Sequence, residues 1–170
     1  MRRIASYARA LGLFAAGAVF GTFVLRPSAA QEKKNINLHL NHVGIAVKDV
    51  DATVNYYTKV MGYRVAFKFP SPDGRPTTTY MQINRDTFLE IAPASDTALA
   101  GTITHMGIQS DDIKAAVAQL RANGGDVQDV HVSAQTKALL SNITDPNGIR
   151  SELVELTPDS LHQQAINRWK

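Results

Sequence analysis

Two histidines and two glutamates occur in this chain at nearly equal separations. His42 lies 48 residues before Glu90, and His105 lies 47 residues before Glu152. Two neutral imidazoles and two carboxylates balance the charge of one divalent cation, and this mixed donor set suits Ni, Zn, Co, Mn or Fe. The chain contains no Cys, which excludes thiolate metal sites, disulfides and a cysteine nucleophile. The four residues are therefore candidate ligands for one divalent transition metal.

The segments around the two histidines are internal repeats. His42-Val43-Gly44-Ile45 and His105-Met106-Gly107-Ile108 share the pattern His-x-Gly-Ile, and each is followed by an Asp-rich turn and a helical stretch. Each half then contains strand-like runs and ends in a strand that carries its glutamate. The pattern predicts a strand, a helix and three strands in each half, which is an α+β fold.

Periodicity and turn residues locate these elements. Helical spacing and a stop at glycine predict a helix capped by Asp49 or Asp51 and a second helix capped by Asp111. Alternation and turn residues predict four strands, which cover residues 63–69, 78–83, 127–132 and 138–143. Pro158 and Asp159 start an amphipathic C-terminal helix over residues 158–170, which we interpret as a surface cover or a contact with a partner subunit.

Strand alternation separates the side chains of the two histidine strands into two faces. In the first strand it predicts that Leu40, His42, Gly44 and Ala46 face a concavity, whereas Val43, Ile45 and Val47 pack against a helix. In the second strand it predicts that Ile103, His105, Gly107 and Gln109 face the same concavity.

The other three histidines are not candidate ligands by strand parity and the repeat. His39 has the opposite parity, His131 has no counterpart in the repeat, and His162 lies on the terminal helix. Glu155 has the opposite parity to Glu152, and we expect it to be solvated.

The N-terminus has the order of a secretory signal peptide. Arg2 and Arg3 precede a mainly apolar run over residues 10–25, and Ser28-Ala29-Ala30 provides the small residues that signal peptidase requires. We predict cleavage after Ala30, a linker over residues 31–36 and a periplasmic or secreted mature protein. An uncleaved anchor is the alternative, although 16 apolar residues are fewer than the roughly 20 that span a bilayer. After cleavage we expect no stable membrane association.

The excess of basic residues belongs to this predicted signal. The chain has 18 Lys and Arg against 15 Asp and Glu, but four of the arginines lie within residues 1–30. Their removal leaves 14 basic residues against 15 acidic ones, a net charge of −1. A mature protein with this charge lacks the basic surface of a nucleic-acid binder, so we exclude that class.

The repeated strands and the sequence that ends the second half resemble one known superfamily. The two His-x-Gly-Ile strands occur together with a turn and strand of sequence Asp-Pro-Asn-Gly-Ile-Arg-Ser-Glu-Leu-Val-Glu-Leu at residues 145–156. This combination resembles the vicinal oxygen chelate superfamily, which includes glyoxalase, bleomycin resistance proteins and extradiol dioxygenases, over about residues 37–157. The resemblance implies two βαβββ modules, residues 37–95 and 101–157, that form an open, cup-shaped mixed sheet.

The same resemblance implies a function for the candidate ligands. It places a divalent metal at the base of the cup, held by His42, Glu90, His105 and Glu152. A metal in this position polarises a carbonyl and stabilises an enediolate, while Glu152 or Glu90 shuttles the proton. We therefore expect an exported metal-dependent lyase or isomerase that acts on a small substrate chelated through adjacent oxygens. As substrate contacts we expect Arg150, Gln109, Tyr80 and Gln82.

Comparison within the superfamily leaves several functions open. Glyoxalase I uses the four-ligand set but recognises glutathione through an Arg and an Asn, whose matching positions here are Ala46 and Ala94. Extradiol dioxygenases use two histidines and one glutamate, so Glu90 would be a surplus ligand that occupies a position needed by oxygen and a catechol. A non-catalytic, antibiotic-type binding protein needs no metal ligands at all. Modules in this superfamily pair within one chain or between two chains, so a monomer and a homodimer both fit.

Overall fold

The computed structural model describes residues 36–170. The predicted signal peptide, residues 1–30, and residues 31–35 of the predicted linker lie outside this part of the chain. None of the three helices within residues 36–170 is long and apolar enough to cross a membrane.

The order of elements along the chain repeats once and is followed by a terminal helix. The first half comprises β1 (His39–Val47), α1 (Val50–Lys59), β2 (Arg64–Lys68), β3 (Thr79–Gln82) and β4 (Phe88–Pro93). The second half comprises β5 (Thr102–Gln109), α2 (Ile113–Ala122), β6 (His131–Val132), β7 (Leu139–Thr144) and β8 (Arg150–Glu155). The terminal helix is α3 (Leu161–Arg168). The predicted α+β fold of two strand-helix-three-strand units is confirmed.

All eight strands belong to one mixed sheet in the order β2-β3-β4-β1-β5-β8-β7-β6. Within the halves, β1 pairs with β4 and β5 pairs with β8, and both pairs are parallel. Between the halves, β1 and β5 run antiparallel. The two histidine strands are therefore neighbours at the centre of the sheet.

Aspartates begin the first two helices by accepting backbone hydrogen bonds. Asp49 caps α1 by accepting from the amide of Ala52, and Asp112 caps α2 by accepting from the amide of Ala115. The prediction of Asp111 as the second cap was wrong by one residue. Helix α1 packs on a core that contains Met81, Leu89 and Ile91. A second core contains residues of α2 and β8.

Two irregularities in the β1–β5 pairing change which side chains share a face. Asn41 is an extra residue between the pairs Leu40–Ile108 and His42–Gly107, and Thr104 is an extra residue between Gly44–His105 and Ile45–Ile103. Such β-bulges reverse the alternation that a regular strand would have. The predictions that Leu40 and Ile103 face the cup, and that His39 faces away from it, were therefore wrong. His39 lies opposite Gln109 but is exposed.

Three predicted segments differ in detail from the structure. The strand predicted over residues 127–132 is reduced to β6, with one isolated bridge between Val127 and Ile143. The terminal helix begins after its cap at Ser160 and buries Ala165 and Ile166 against Tyr80 and Phe88. Glu155 is half-buried and accepts a hydrogen bond from the amide of Ile113 at 2.8 Å, so the prediction that it is solvated was wrong.

Candidate metal centre

The site lies on two rows of residues that cross the sheet between paired strands. In each row a glutamate, a glycine and a histidine occupy adjacent strands, and the histidine comes from the opposite half of the chain. We call them the glycine rows: one is Glu90, Gly44 and His105, and the other is Glu152, Gly107 and His42. The two equivalent rows bring all four predicted ligands to the same face of the sheet.

The glycines of the two His-x-Gly motifs leave room for the opposite histidine rings. A β-carbon at position 44 would lie 2.3 Å from Cε1 of His105, and a β-carbon at position 107 would lie 2.1 Å from Cε1 of His42. Both distances are far below van der Waals contact, so any larger residue would displace a ring. Each histidine therefore reaches across the neighbouring strand because that strand has glycine at this point.

The two bulge residues hold the rings in place through their Nδ1 atoms. Asn41 Oδ1 lies 2.9 Å from Nδ1 of His42, and Thr104 Oγ1 lies 2.9 Å from Nδ1 of His105. The amide of Asn41 donates to Oε1 of Gln109 at 2.8 Å, which leaves its carbonyl oxygen to accept from His42. In this tautomer the Nε2 lone pair of His42 is free to bind a metal. Hydrogen bonds of this kind fix the orientation of a ligand imidazole and increase its basicity.

The Nε2 atoms and the carboxylates converge beyond the rings. The two Nε2 atoms are 3.0 Å apart. Glu90 Oε2 lies 3.2 Å from Nε2 of His105 and 3.6 Å from Nε2 of His42, and Glu152 Oε2 lies 3.5 Å from Nε2 of His42. His42, His105 and Glu152 each offer a ligand atom within 4.8 Å of the other two.

These separations fit a divalent ion held by nitrogen and oxygen. Two ligand atoms that are each about 2.1 Å from an ion lie about 3.0 Å apart at a right angle and about 3.4 Å apart at the tetrahedral angle. The observed values of 3.0 to 3.6 Å fall close to this range. The histidines are almost fully buried and the glutamates are mostly buried. The residues present could therefore hold a transition metal.

The electrostatic environment favours a neutral His42 imidazole and shifts the pKa values of the two carboxylates in opposite directions. Burial lowers the pKa of His42 to about 3, and Glu90 opposes this shift only in part. Burial also acts to raise the pKa of Glu90, but the hydrogen bond from His105, the two histidine rings and Tyr80 outweigh it, so the net shift is downward. Burial and the nearby Glu90 raise the pKa of Glu152, whereas His105 and Arg150 oppose this shift only in part. Glu152 therefore holds a proton more readily than Glu90.

A small cavity of about 150 Å³ adjoins the convergent ligand atoms. Two of the four predicted substrate contacts, Tyr80 and Arg150, line it together with both glutamates. The Tyr80 hydroxyl donates to Glu90 Oε2 at 2.7 Å. Arg150 Nη1 donates to Asn142 Oδ1 at 2.8 Å and lies 3.5 Å from Glu152 Oε1.

The other two predicted contacts do not line this cavity. Gln82 is buried and donates to the carbonyl of Arg85 at 2.9 Å. Gln109 supports Asn41, as described above. Both glutamines therefore form hydrogen bonds within the protein framework.

Sequence reasoning missed the two bulge residues and one further histidine. Asn41 and Thr104 each precede a candidate ligand histidine, and a polar residue at this place in both repeats was a signal that could have identified them. His162 is 2% exposed and its ring lies 6.0 Å from that of His42, centroid to centroid. Its position on one helix face with Ala165 and Ile166 indicates burial, but only the folded chain shows what the face covers. His131, by contrast, is exposed on β6.

The chain is similar to plant and bacterial proteins named as lactoylglutathione lyases. It is 27% identical over 139 residues to a probable chloroplastic lactoylglutathione lyase of Arabidopsis thaliana, a match that covers 76% of this chain and 40% of the plant protein. It is 22% identical over 125 residues to a lactoylglutathione lyase of Neisseria meningitidis serogroup A, covering 69% of this chain and 91% of the bacterial protein. The chain thus spans less than half the length of the plant relative.

Solved structures share the fold. Methylmalonyl-CoA epimerase from Mycobacterium tuberculosis has a TM-score of 0.58 and 21% identity, covering 70% of this chain and 88% of its own. A Streptomyces coelicolor methylmalonyl-CoA epimerase variant has a TM-score of 0.59 and 21% identity, covering 72% of this chain and 96% of its own. At this level of sequence identity, the similarity shows a shared fold.

The model of one protein family matches residues 39–153, which is more than half of the 170-residue chain. That stretch runs from the start of β1 into β8 and includes both glycine rows with all four candidate ligands. The chain belongs to the Glyoxalase/Bleomycin resistance protein/Dioxygenase superfamily.

Proposed function

We propose that this protein is an exported, metal-dependent lyase or isomerase that transfers a proton on a small substrate bound through two adjacent oxygens. The observation that carries the proposal is the convergence of two imidazole Nε2 atoms 3.0 Å apart with two carboxylates beside one cavity. The family and its lyase and epimerase relatives support proton-transfer chemistry. A divalent ion held by these residues would act as a Lewis acid towards a substrate carbonyl.

The surroundings of the two glutamates suggest different roles for them. Glu90 Oε2 accepts from Tyr80 and contacts Nε2 of both histidines, so it is held as a fixed negative group. Glu152 lines the cavity beside Arg150. In the proposed reaction Glu152 takes a proton from the carbon next to the carbonyl and returns it to the product, while Arg150 holds a substrate oxygen. The histidines and glutamates beside the cavity are mostly buried, which strengthens these electrostatic interactions.

The substrate differs from a glutathione adduct in this proposal. The positions that match the glutathione contacts of glyoxalase I are Ala46 and Ala94, and neither side chain can pair with a carboxylate. Ala46 is also fully buried. A compact hydroxycarbonyl or epimerisable acid would need no such contacts.

An extradiol-type dioxygenase is the second candidate, and one observation favours it. His42, His105 and Glu152 alone form the group whose ligand atoms lie within 4.8 Å of one another among residues 36–170. Two histidines and one carboxylate with open positions are the ligand set of non-haem Fe(II) oxygenases. In that case Glu90 would support the ligands through its hydrogen bonds instead of binding the metal.

Metal analysis with paired substrate screens tests the proposal. The full-length chain is purified from exporting cells, its N-terminus is read by mass spectrometry, and bound metals are measured beside the His42→Ala and Glu90→Ala variants. We expect cleavage after Ala30 and about one Ni, Zn, Co or Mn per chain, lost in both variants and retained in the exposed control His131→Ala. Hydroxycarbonyls and epimerisable acids should then incorporate deuterium from D₂O.

Other outcomes would contradict parts of this proposal. Fe(II) retained in Glu90→Ala, with oxygen uptake on catechols, would support the dioxygenase. No metal under metal-replete conditions would favour a binding protein without catalysis. An intact N-terminus in purified protein would contradict cleavage of the signal.

A further inference from the structure

Helix α3 packs against residues of β2, β3 and β4 beside the cavity, and its His162 lines the cavity. Its first residue, Leu161, donates to the carbonyl of Thr136 in the second half at 2.9 Å. Beyond its last residue, Trp169 lies under the guanidinium of Arg64 in the first half, 4.4 Å from ring centroid to Cζ. Arg64 also donates to the carbonyl of Lys170 at 3.1 Å. The helix is therefore fixed at both ends, one end to each half of the chain.

The first turn of α3 places one imidazole against the site. The His162 ring stands edge-on to Tyr80, Phe67 and Phe88, with centroids 4.8 to 5.0 Å apart. It is 2% exposed, and neither ring nitrogen has a hydrogen-bond partner among the described residues. Packing on three aromatic rings leaves the side chain little freedom to swing aside.

The remaining cavity is small for a substrate site. Its volume of about 150 Å³ is close to that of a cavity that holds a benzene molecule, about 150 Å³. Sites for drug-sized ligands occupy roughly 300 to 1,000 Å³. Beyond the metal site, the cavity is lined by Phe69, Tyr80, Leu140 and Arg150, by the segment before β7, and by His162 of α3.

We propose that α3 is the roof of the substrate cavity and that His162 is a specificity-determining residue, which limits the site to compact chelating substrates and excludes ligands with a bulky group next to the chelating oxygens. This inference rests on the proposed function, because it assumes a metal-bound substrate, and it adds the size of that substrate. His162 acts here by its volume and its fixed position.

Two hydroxamates that differ only in size provide the test. Acetohydroxamate and benzohydroxamate chelate a metal through the same pair of oxygens, but the second carries a phenyl ring in place of a methyl group. The full chain is loaded with Co²⁺, whose visible absorption reports coordination, and each hydroxamate is titrated against that absorption. The variants are His162→Ala, which opens the roof, and His162→Phe, which keeps a ring of similar size as a matched control.

We expect wild-type protein to bind acetohydroxamate at least about 100-fold more tightly than benzohydroxamate, since a rigid pocket rejects an oversized group strongly. In His162→Ala the two dissociation constants should come within about tenfold, whereas His162→Phe should discriminate as the wild type does. Circular dichroism and thermal melting check folding. If His162→Ala does not fold, His162→Val is used, and it should give an intermediate ratio.

Three results would overturn the inference. Similar affinities for both hydroxamates in wild-type protein would show that α3 does not limit ligand size. Unchanged discrimination in folded His162→Ala or His162→Val would remove His162 as the determinant. Absence of a Co²⁺ band in wild-type protein would refute the metal site itself, so the proposed function and this inference would fail together, whereas the first two results leave the metal site intact.

Discussion

Gly107 lies directly beneath the ring of His42, so close that a β-carbon on it would approach Nδ1 to 2.1 Å. The two residues are paired across β1 and β5, and the ring extends over the glycine towards Glu152 on β8. The same relationship holds between Gly44 and His105. The glycine of each His-x-Gly motif thus leaves room for the histidine ring of the other motif.

Replacement of Gly107 by alanine should abolish tight metal binding. The new methyl group must push the buried His42 ring off its position and away from Asn41, because the strand backbone on either side is paired. We expect loss of bound metal and a decrease of about 1–3 kcal/mol in the free energy of unfolding, as in other overpacked cores. Metal analysis and urea unfolding measure the two effects.

Met106→Ala is the matched control for this variant. Met106 is the neighbouring residue in β5, and its side chain is 40% exposed. Its truncation should leave metal content unchanged. A fully loaded Gly107→Ala protein of normal stability would contradict the arrangement described for the ring.

Loss of either Nδ1 partner should weaken metal binding while the fold persists. Asn41→Ala and Thr104→Val each remove the group that lies 2.9 Å from a histidine Nδ1. Mutations of such supporting residues typically reduce metal affinity about 10–100-fold, and we expect the same range here from competition with a chelating indicator. Thr104→Ser keeps the hydroxyl and should keep the affinity. Equal affinities for Thr104→Val and wild type would show that Thr104 does not orient His105.

The Tyr80 hydroxyl should stabilise the protein through its hydrogen bond to Glu90. Tyr80 is buried, and its phenol donates to the carboxylate at 2.7 Å. Tyr80→Phe keeps the ring stacked on Phe67 but removes a hydrogen bond to a charged group, which is worth about 1.5–3 kcal/mol. Urea unfolding at pH 7 should show a loss of this size. Tyr56→Phe is the control, because Tyr56 is 53% exposed and its replacement should change stability by less than about 0.5 kcal/mol.

His162 should make the metal-free protein sensitive to acid. Burial lowers its pKa from the ordinary value of 6.5 to about 4. As the pH falls, the unfolded chain is protonated first, so the full stability is present above pH 6.5 and is lost progressively between pH 6.5 and 4. The loss is on the order of 3 kcal/mol, from about 1.4 kcal/mol for each pKa unit.

The His162→Phe variant separates this effect from the other titrating groups. A phenyl ring suits the aromatic surroundings and removes two buried nitrogens that lack partners, so stability at pH 7 should be equal or higher. Unfolding free energies measured from pH 7 to pH 4 should fall less steeply than in wild type. Parallel curves for the two proteins would mean that His162 does not contribute to the pH dependence.

The fold and the convergence of the two candidate ligand histidines could be predicted from the sequence because those features are local and occur twice. The His-x-Gly repeat and the matched distance to Glu90 and Glu152 depend only on alternation within strands and on the order of elements. Alternation failed at Asn41 and Thr104, since a bulge is defined by the pairing of two strands. This is why Leu40 and Ile103 were assigned to the wrong face.

Strand alternation and the repeat could not predict residues whose role depends on contacts between distant parts of the chain. His162 meets the site only because α3 returns over β2 and β3 after the second half is complete. Gln82 and Gln109 were expected to contact the substrate. Gln82 instead forms a hydrogen bond with Arg85 and Gln109 with Asn41, and strand periodicity does not identify these partners. The shift of the α2 cap from Asp111 to Asp112 reflects the ±1–2 residue uncertainty of helix ends.

Each glycine row contains a histidine from the opposite half of the chain, so metal binding would depend on the assembly of both halves. Each half contributes one imidazole and one carboxylate. Each imidazole lies close to the carboxylate of the other half, 3.2 Å apart for His105 and Glu90 and 3.5 Å apart for His42 and Glu152, and His42 is also 3.6 Å from Glu90 of its own half. Neither repeat alone can complete a chelate of this geometry. An ion bound there would join the halves across the β1–β5 seam and bind only the native arrangement, so its binding energy would add to the cooperativity of folding.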